Sequence, residues 1–263
     1  MAPVTRERAL ILVKAFPQPS QKYEETVCCA GINEQGEFVR LYPVRYRHLR
    51  PEQRFDRWDV IEFEAERPRD DWRPESRHVS EDSIRVVQSR SQTNEEQRVR
   101  SWAPHVSPSL TALKAENEAT EKSLGIVGPA AGSVKFRARR LKASSQEDRQ
   151  MQEAWGQVSL LDAEALPELK VEYEFSYRFT SDGHAHDMKI HDWEVQAAYF
   201  AYKKKYGKDA LTRLQVEYEQ NIPQRNLHLV MGTMKAHPRQ FIIIGLLRGR
   251  VSPEDAQRQT SLL

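Results

Sequence analysis

The sequence predicts an α+β fold, with β structure first, a helical middle and a mixed carboxyl-terminal part. Three observations carry that expectation. Roughly the first 90 residues hold short apolar or alternating runs punctuated by Pro and Gly. From about residue 93 the pattern changes to helical spacing, with a serine–proline pair at a helix start. Roughly the last 100 residues open on a strand with alternating aromatics, continue through helical runs and end on two apolar stretches. Strands and helices segregated in this way exclude a regularly alternating, doubly wound sheet.

Taken in order, residues 9–16 read as a buried strand ended by Pro17 and Pro19. Residues 26–32 and 37–42 flank the turn at 33–36, where Gly36 is placed for a left-handed conformation, and together they predict a hairpin. The Arg-rich segment 46–55 is expected to be a short helix. Residues 60–66 alternate as a strand with one exposed face, and residues 83–88 form a further strand. Residues 93–102 set Val99 and Trp102 among Glu and Gln. Ser107 and Pro108 then cap and open a helix reaching Lys122. Residues 128–150 read as a linker or mobile excursion. Residues 170–179 form a strand whose aromatics at 173, 175, 177 and 179 share one covered face. Helices at 192–206, closed by Gly207, and at 209–221 follow. Residues 227–232 and 241–247 are the final strands around a loop at 233–239. The expected organisation is a β domain over 1–90, a helical segment and linker over 91–150, and an α+β domain over 151–263.

Charged residues make up 30% of the chain, mean hydropathy is −0.73 and the formal net charge is +2, so the surface is polar and nearly balanced. Arg outnumbers Lys. The planar guanidinium suits phosphates and base edges, although an Arg-rich genome gives the same excess. The only cysteines, Cys28 and Cys29, are adjacent and build no disulfide framework, which suits a reducing cytoplasm. The first residues carry no apolar signal stretch, and the apolar run 241–247 is too short to span a bilayer. A soluble cytoplasmic protein with no membrane partner is expected. Gly-rich phosphate loops, G-x-G-x-x-G and G-x-S-x-G are all missing, which argues against an ATPase, a dehydrogenase or a serine hydrolase.

Three clusters bear on chemistry. Residues 183–194 hold His184, His186, Asp187, His191, Asp192 and Glu194. In an extended segment His184 and His186 face the same side, as two imidazoles on one divalent metal must. His186, His191, Asp192 and Glu194 are the candidate catalytic set, with Asp192 or Glu194 as the acid–base group. The spacing matches no strong zinc signature, and Asp192 equally suits a helix N-cap with Glu194 in the first turn. The second cluster interleaves Arg40, Tyr42, Arg45, Tyr46, Arg47 and His48, offering charges for phosphates and rings for bases. A solvated face is the plainer alternative, and Glu52, Asp56 and Asp59 offset part of the charge. The third cluster is Lys235, His237 and Arg239, on a loop between two apolar strands that can touch phosphates.

The run from Cys28 to Val44 resembles the opening hairpin of small OB-like β-barrels in bacterial proteins. Their pattern is Cys-x-Ala-Gly-Ile, a turn, then Gly-Lys-Trp-Val/Ile-Arg-x-x-Pro. Phe38 stands where Trp is common, and Arg40 matches the basic position. The likeness, to dual-OB-type domains of defence and modification loci, covers about the first 65 residues. It implies an N-terminal OB-like small β-barrel that binds nucleic acid across Arg40, Tyr42 and Arg45, and it implies no catalytic residue. The leading expectation is therefore a protein that binds DNA or RNA and processes the strand or a base, extruded if necessary into a pocket, with Trp193 or Tyr177 for stacking. A non-catalytic module recognising nucleic acid or a modified base is the second reading. A metal-dependent hydrolase of nucleotides or small molecules is the third.

Overall fold

The computed structural model describes residues 3–15, 18–20, 24–46, 49–142, 145–146 and 171–258. The fold is α+β. In the amino-terminal half, strands β1 (Thr5–Lys14), β3 (Glu24–Asn33), β4 (Phe38–Val44), β5 (Val60–Glu66) and β6 (Ser76–Gln88) form one sheet, with the short β2 (Gln18–Ser20) added to β3. β1 pairs antiparallel with both β3 and β5, so the five long strands close into a ring in the order β1, β5, β6, β4, β3. β4 and β6 meet in parallel at Arg40–Ser76 and Leu41–Arg77, and the other contacts are antiparallel. Gly31 lies on the closing seam, where a Cβ would stand 2.5 Å from the Leu10 carbonyl oxygen.

Side-chain alternation explains the ring. In β5, Ile61, Phe63 and Ala65 are buried between half-exposed Glu62, Glu64 and Glu66. They join Ile11, Cys29, Val39, Leu41 and Phe55 in the interior. The expected hairpin is present, with Gly36 at φ +76° in its turn. The expected helix at 46–55 shrinks to a single 3₁₀ turn, Pro51–Gln53. β6 begins seven residues before the expected strand, at Ser76 rather than Ser83.

The helical middle contains α1 (Glu95–Trp102), capped by Asn94 with Gln97 closing a capping box, and α2 (Leu110–Thr120). Ser109 caps α2, not Ser107: its hydroxyl accepts the Ala112 N–H. The sequence offers Ser–Pro–Ser, and the second serine lets Pro108 stay outside the helix. Within the expected linker, β9 (Lys135–Arg140) is a regular strand. Residues 143–144 and 147–150 of that linker lie outside the described residues.

In the carboxyl-terminal half, β9, β10 (Tyr173–Ser181) and β11 (His184–Lys189) form an antiparallel sheet. A second sheet runs β13 (His237–Leu247), β12 (His228–Met234), β8 (Leu124–Val127) and β7 (Val106–Ser107). Helices α3 (Trp193–Tyr206) and α4 (Ala210–Val216), a π-turn at Glu217–Asn221 and α5 (Pro253–Arg258) complete the chain. The loop expected at 233–239 is a two-residue turn, because β12 and β13 both extend into it. Among the described residues no helix is long and apolar enough to cross a membrane.

The two halves share a core. Leu12, Val13 and Phe38 from the ring pack with Trp102, Leu124, Ile126, Val230 and Ile244. Polar latches cross the same seam. Arg57 donates to the Leu246 carbonyl, Arg73 to the Thr233 carbonyl at 2.8 Å, and the Glu75 carboxylate accepts the Ser123 and Leu124 N–H groups. The segment 190–192 is threaded between them: Ile190 bridges Ile243, and Asp192 bridges Ala15.

Candidate functional site

Strand β4 is covered on both sides. Val39 and Leu41 fill the ring, while Phe38, Arg40 and Tyr42 point the other way, toward the carboxyl-terminal half. Where that half falls short of contact, a cavity of about 260 Å³ remains. Ala15, Cys28, Arg40 and Tyr42 line it from the ring, and Arg73 lines it from the β5–β6 loop. His191 of the threaded segment and Thr233, Met234, Lys235, Ile242 and Ile244 of the β12–β13 hairpin close it. Tyr42, 36% exposed, and the exposed Lys235 are its outermost members.

Arg40 is only 3% exposed. Its Nη1 donates to Cys28 Sγ at 3.3 Å, and its Nη2 donates to the Ser123 carbonyl and hydroxyl, both at 3.1 Å. The Ser123 hydroxyl in turn donates to Glu75 Oε2 at 2.8 Å. Among the described residues no carboxylate reaches the Arg40 guanidinium directly, and its Nε is buried without a partner. Thr233 Oγ1 is a second buried polar atom without a partner, on a residue 2% exposed. A polar atom left in this state forfeits roughly 1–3 kcal/mol of desolvation.

The other basic groups are neutralised. Arg73 grips Asp71 at 2.6 Å. Burial alone would push the Asp71 carboxyl up, but hydrogen bonds from Arg73 and Ser76 take it down to about 2. Lys235 pairs with Asp70 at 2.6 Å. Burial, helped by Lys189, drives the His191 imidazole down to about 4, so it is neutral at pH 7.

The residues singled out in the sequence scatter. His191 lines the cavity, while His184, His186, Asp192 and Glu194 do not. His184 sits exposed beside the hairpin turn, and His186 lies across from Phe179 with ring centroids 5.4 Å apart. Both are on a strand where a turn was expected. Asp192 caps α3 by accepting the Glu194 N–H, and its other oxygen accepts the Leu246 N–H, each at 2.9 Å. Glu194 is held by Arg57 at 2.8 Å. Among the described residues no three His, Cys, Asp or Glu side chains gather as a metal would need.

Of the basic surface candidates, Arg40, Tyr42 and Lys235 meet at the cavity. Arg45 is turned away into a two-pronged pair with Glu81, at 2.9 and 2.6 Å. Arg239 donates to the Asn117 carbonyl at the end of α2, and His237 is exposed at the start of β13. Arg47 lies outside the described residues. Sequence reasoning missed Cys28, Arg73 and Thr233. Cys28 was the legible one, as a cysteine on an alternating strand facing opposite to the buried Cys29.

Ring, covered strand and cavity together define an α+β protein of two interlocked halves with a cavity at their seam. Residues 106–262 match a family model described as domain of unknown function DUF8757, and residues 5–104 match a second, described as domain of unknown function DUF8758. The former covers more than half of the chain, which therefore belongs to the DUF8757 family. No curated protein matches the chain.

Proposed function

We propose that the protein is a nucleic-acid recognition module that holds a single strand across the open flank of the ring, at the cavity mouth. The ring's pairing scheme supports this reading. Numbering its strands 1 to 5 along the chain gives the order 1-2-3-5-4 with strand 4 back beside strand 1, as in an OB-like barrel. Such barrels bind oligonucleotides on the face of their second and third strands and with the loop between their fourth and fifth. Here those strands are β3 and β4, which present Tyr42, and that loop spans 67–75. The loop carries Trp72, 40% exposed, and the exposed Arg67 and Arg69. Solvent-facing aromatics beside cations are what unstacked bases and their phosphates require.

The single observation that carries the reading is the meeting of exposed Tyr42 with buried, counter-ion-poor Arg40 at one cavity. Recognition is favoured over processing because the acids named for proton transfer are already engaged, Asp192 by two backbone N–H groups and Glu194 by Arg57.

Fluorescence anisotropy with labelled single-stranded DNA, single-stranded RNA and duplex DNA tests it. Single strands are expected to bind more tightly than duplex. The exposed cations of the 67–75 loop, Arg67 and Arg69, set a shallow salt dependence, with a slope of about −1.4 in log K against log salt. Tyr42→Ala and Trp72→Ala are each expected to weaken binding by roughly 5- to 100-fold, the range of one lost base stack. No binding at low salt, or full binding by both variants, would overturn the reading.

A further inference from the structure

We propose that the corner where α3 meets α4 is a second nucleic-acid contact: Lys204, Lys205, Lys208, Arg213 and Arg248 bind the phosphates of a strand long enough to extend beyond the ring. The assignment rests on the nucleic-acid reading for the identity of the polyanion, though the corner's charge stands on its own residues.

That charge is concentrated and unpaired. Residues 202–213 hold five cations against the single acid Asp209, a net +4 where the whole chain carries +2. Lys203 pairs with Glu172 at 2.8 Å. Among the described residues no carboxylate pairs with Lys204, Lys205, Lys208, Arg213 or Arg248, all of them exposed. The β9–β10–β11 sheet, which α3 packs against, is the contrast. Its Lys135, Arg137, Arg139 and Lys189 each hold an acid at 2.7–3.1 Å.

The helix dipole explains only part of the cluster. Lys204 and Lys205 end α3, where the free carbonyls favour cations. Lys208 stands just before α4, at the end that disfavours them, and Arg248 follows β13. Packing then draws charges from separate elements onto one ring. Lys205 Nζ lies 5.1 Å and Arg213 Cζ 4.4 Å from the centroid of Tyr206. Tyr206 meets Tyr202 edge-on, with ring centroids 5.5 Å apart. Burial raises the Tyr202 phenol, and Lys205 and Arg248 lie near enough to oppose that rise. Glu217 also reaches this phenol, but its carboxylate accepts from Asn221 at 2.7 Å. Cations from α3, α4 and the end of β13 thus gather about two tyrosines, whose rings offset part of their mutual repulsion. A bound anion offsets the rest.

A phosphodiester backbone fits the corner better than a bilayer. An interfacial helix needs a continuous apolar face, and among the described residues Val216 is the one large hydrophobic exposed on α4. With Tyr206 covered by cations, the corner offers charge rather than a stacking platform, so it grips backbone without reading sequence. Helix α3 sets the reach. It starts beside the cavity-lining His191 and runs 14 residues, about 20 Å at roughly 1.5 Å per residue. At about 3.4 Å per stacked nucleotide, a strand needs at least roughly six nucleotides beyond the mouth to touch the corner.

Anisotropy with labelled single strands of about 6 and about 30 nucleotides tests this, one inside and one well beyond a barrel's site of about 4–16. The short strand should keep the shallow salt dependence. The long one should be steeper by about 0.7 in slope for each further phosphate contact. A variant carrying Lys204→Gln, Lys205→Gln, Lys208→Gln and Arg213→Gln should bind the long strand at least about 10-fold more weakly at low salt and lose about 2.8 of the slope. Its binding of the short strand should stay unchanged. Arginine at the three lysines, with Arg213→Lys, should keep the parent slope.

Equal slopes for the two lengths in the parent, or an unchanged long-strand slope in the Gln variant, would overturn the corner. Vesicles of phosphatidylserine control for a lipid surface. Pelleting with them that the Gln variant loses, while its long-strand slope stays intact, would assign the charges to a membrane instead. The two proposals fail separately. If the short strand binds and the Gln variant matches the parent on the long one, the corner falls and the ring reading stands. If only the long strand binds, and the Gln variant loses it while Tyr42→Ala and Trp72→Ala do not, the ring reading falls and the corner stands.

Discussion

The Asp192 carboxyl accepts the Glu194 N–H through Oδ1 and the Leu246 N–H through Oδ2, and it is 3% exposed. Burial raises its pKa to about 6, Glu194 adds to the rise, and Arg57 with the two N–H groups opposes it. A carboxyl raised on folding holds its proton more tightly in the folded chain. Its favourable contribution is therefore complete below pH 4 and is lost as pH climbs to about 6. His191, lowered to about 4 by burial, acts in the opposite sense: it favours the fold above pH 6.5 and loses that contribution as pH falls. Asp192→Asn isolates the first effect. It keeps one acceptor but sets an amide N–H₂ against the Leu246 N–H, which costs about 1–3 kcal/mol at pH 4. The gap to the parent should narrow toward pH 6.5, since only the parent loses the carboxyl's contribution. Urea midpoints at the two pH values check this, and a gap that widens would refute the account. The same residue marks the limit of sequence reading. Its cap role is legible from Asp followed by a helical run, but Leu246, 54 residues away, is not.

At the scale of elements, the β10–β11 hairpin turns on Asp182 at φ +53° and Gly183 at φ +74°. Both central residues are left-handed, the type I′ geometry that suits the twist of a two-residue hairpin and favours Asn–Gly or Asp–Gly. Gly183→Val places a β-branched side chain in that region and should cost roughly 1–2 kcal/mol. Asp182→Asn should change stability by less than about 0.5 kcal/mol. Thermal melts of the two variants decide it, and equal losses would argue against the turn type. Here Asp–Gly stands in the sequence as a plain hairpin signal, yet the surrounding histidines drew the reading toward a ligand-bearing turn. Strand β4 stands where the sequence predicts it, but the cover on its second face is illegible for a different reason. Its alternation separates Val39 and Leu41 from Phe38, Arg40 and Tyr42, but periodicity cannot say what covers the second face. An arginine on an alternating strand reads as solvated; only the arrival of Ser123 and the β12–β13 hairpin makes Arg40 a buried one.

For the whole molecule, the decisive question is whether the two halves, each matched by its own family model, unfold independently. Separate matches favour independence. The packing argues the reverse. One core holds Leu12, Val13 and Phe38 from the first half with Leu124, Val230 and Ile244 from the second. Arg40, Arg57, Arg73 and Glu75 each make hydrogen bonds across the seam, so part of the arginine excess serves to join the halves. Releasing one half would expose that apolar core and strand buried charges without partners, each among the costlier single losses in a fold. A single calorimetric transition is expected, with near-UV and far-UV signals changing together. Gly245 sharpens the test. It lies on β13 against β1, and a Cβ there would overlap Val13 Cγ2. Gly245→Ala should cost about 1–3 kcal/mol through overpacking. If the seam is shared, that one methyl must move the entire transition to lower temperature as a unit. Two resolved transitions, with only one displaced by the substitution, would mean that the halves are coupled by contact alone and that the cavity between them opens without unfolding either.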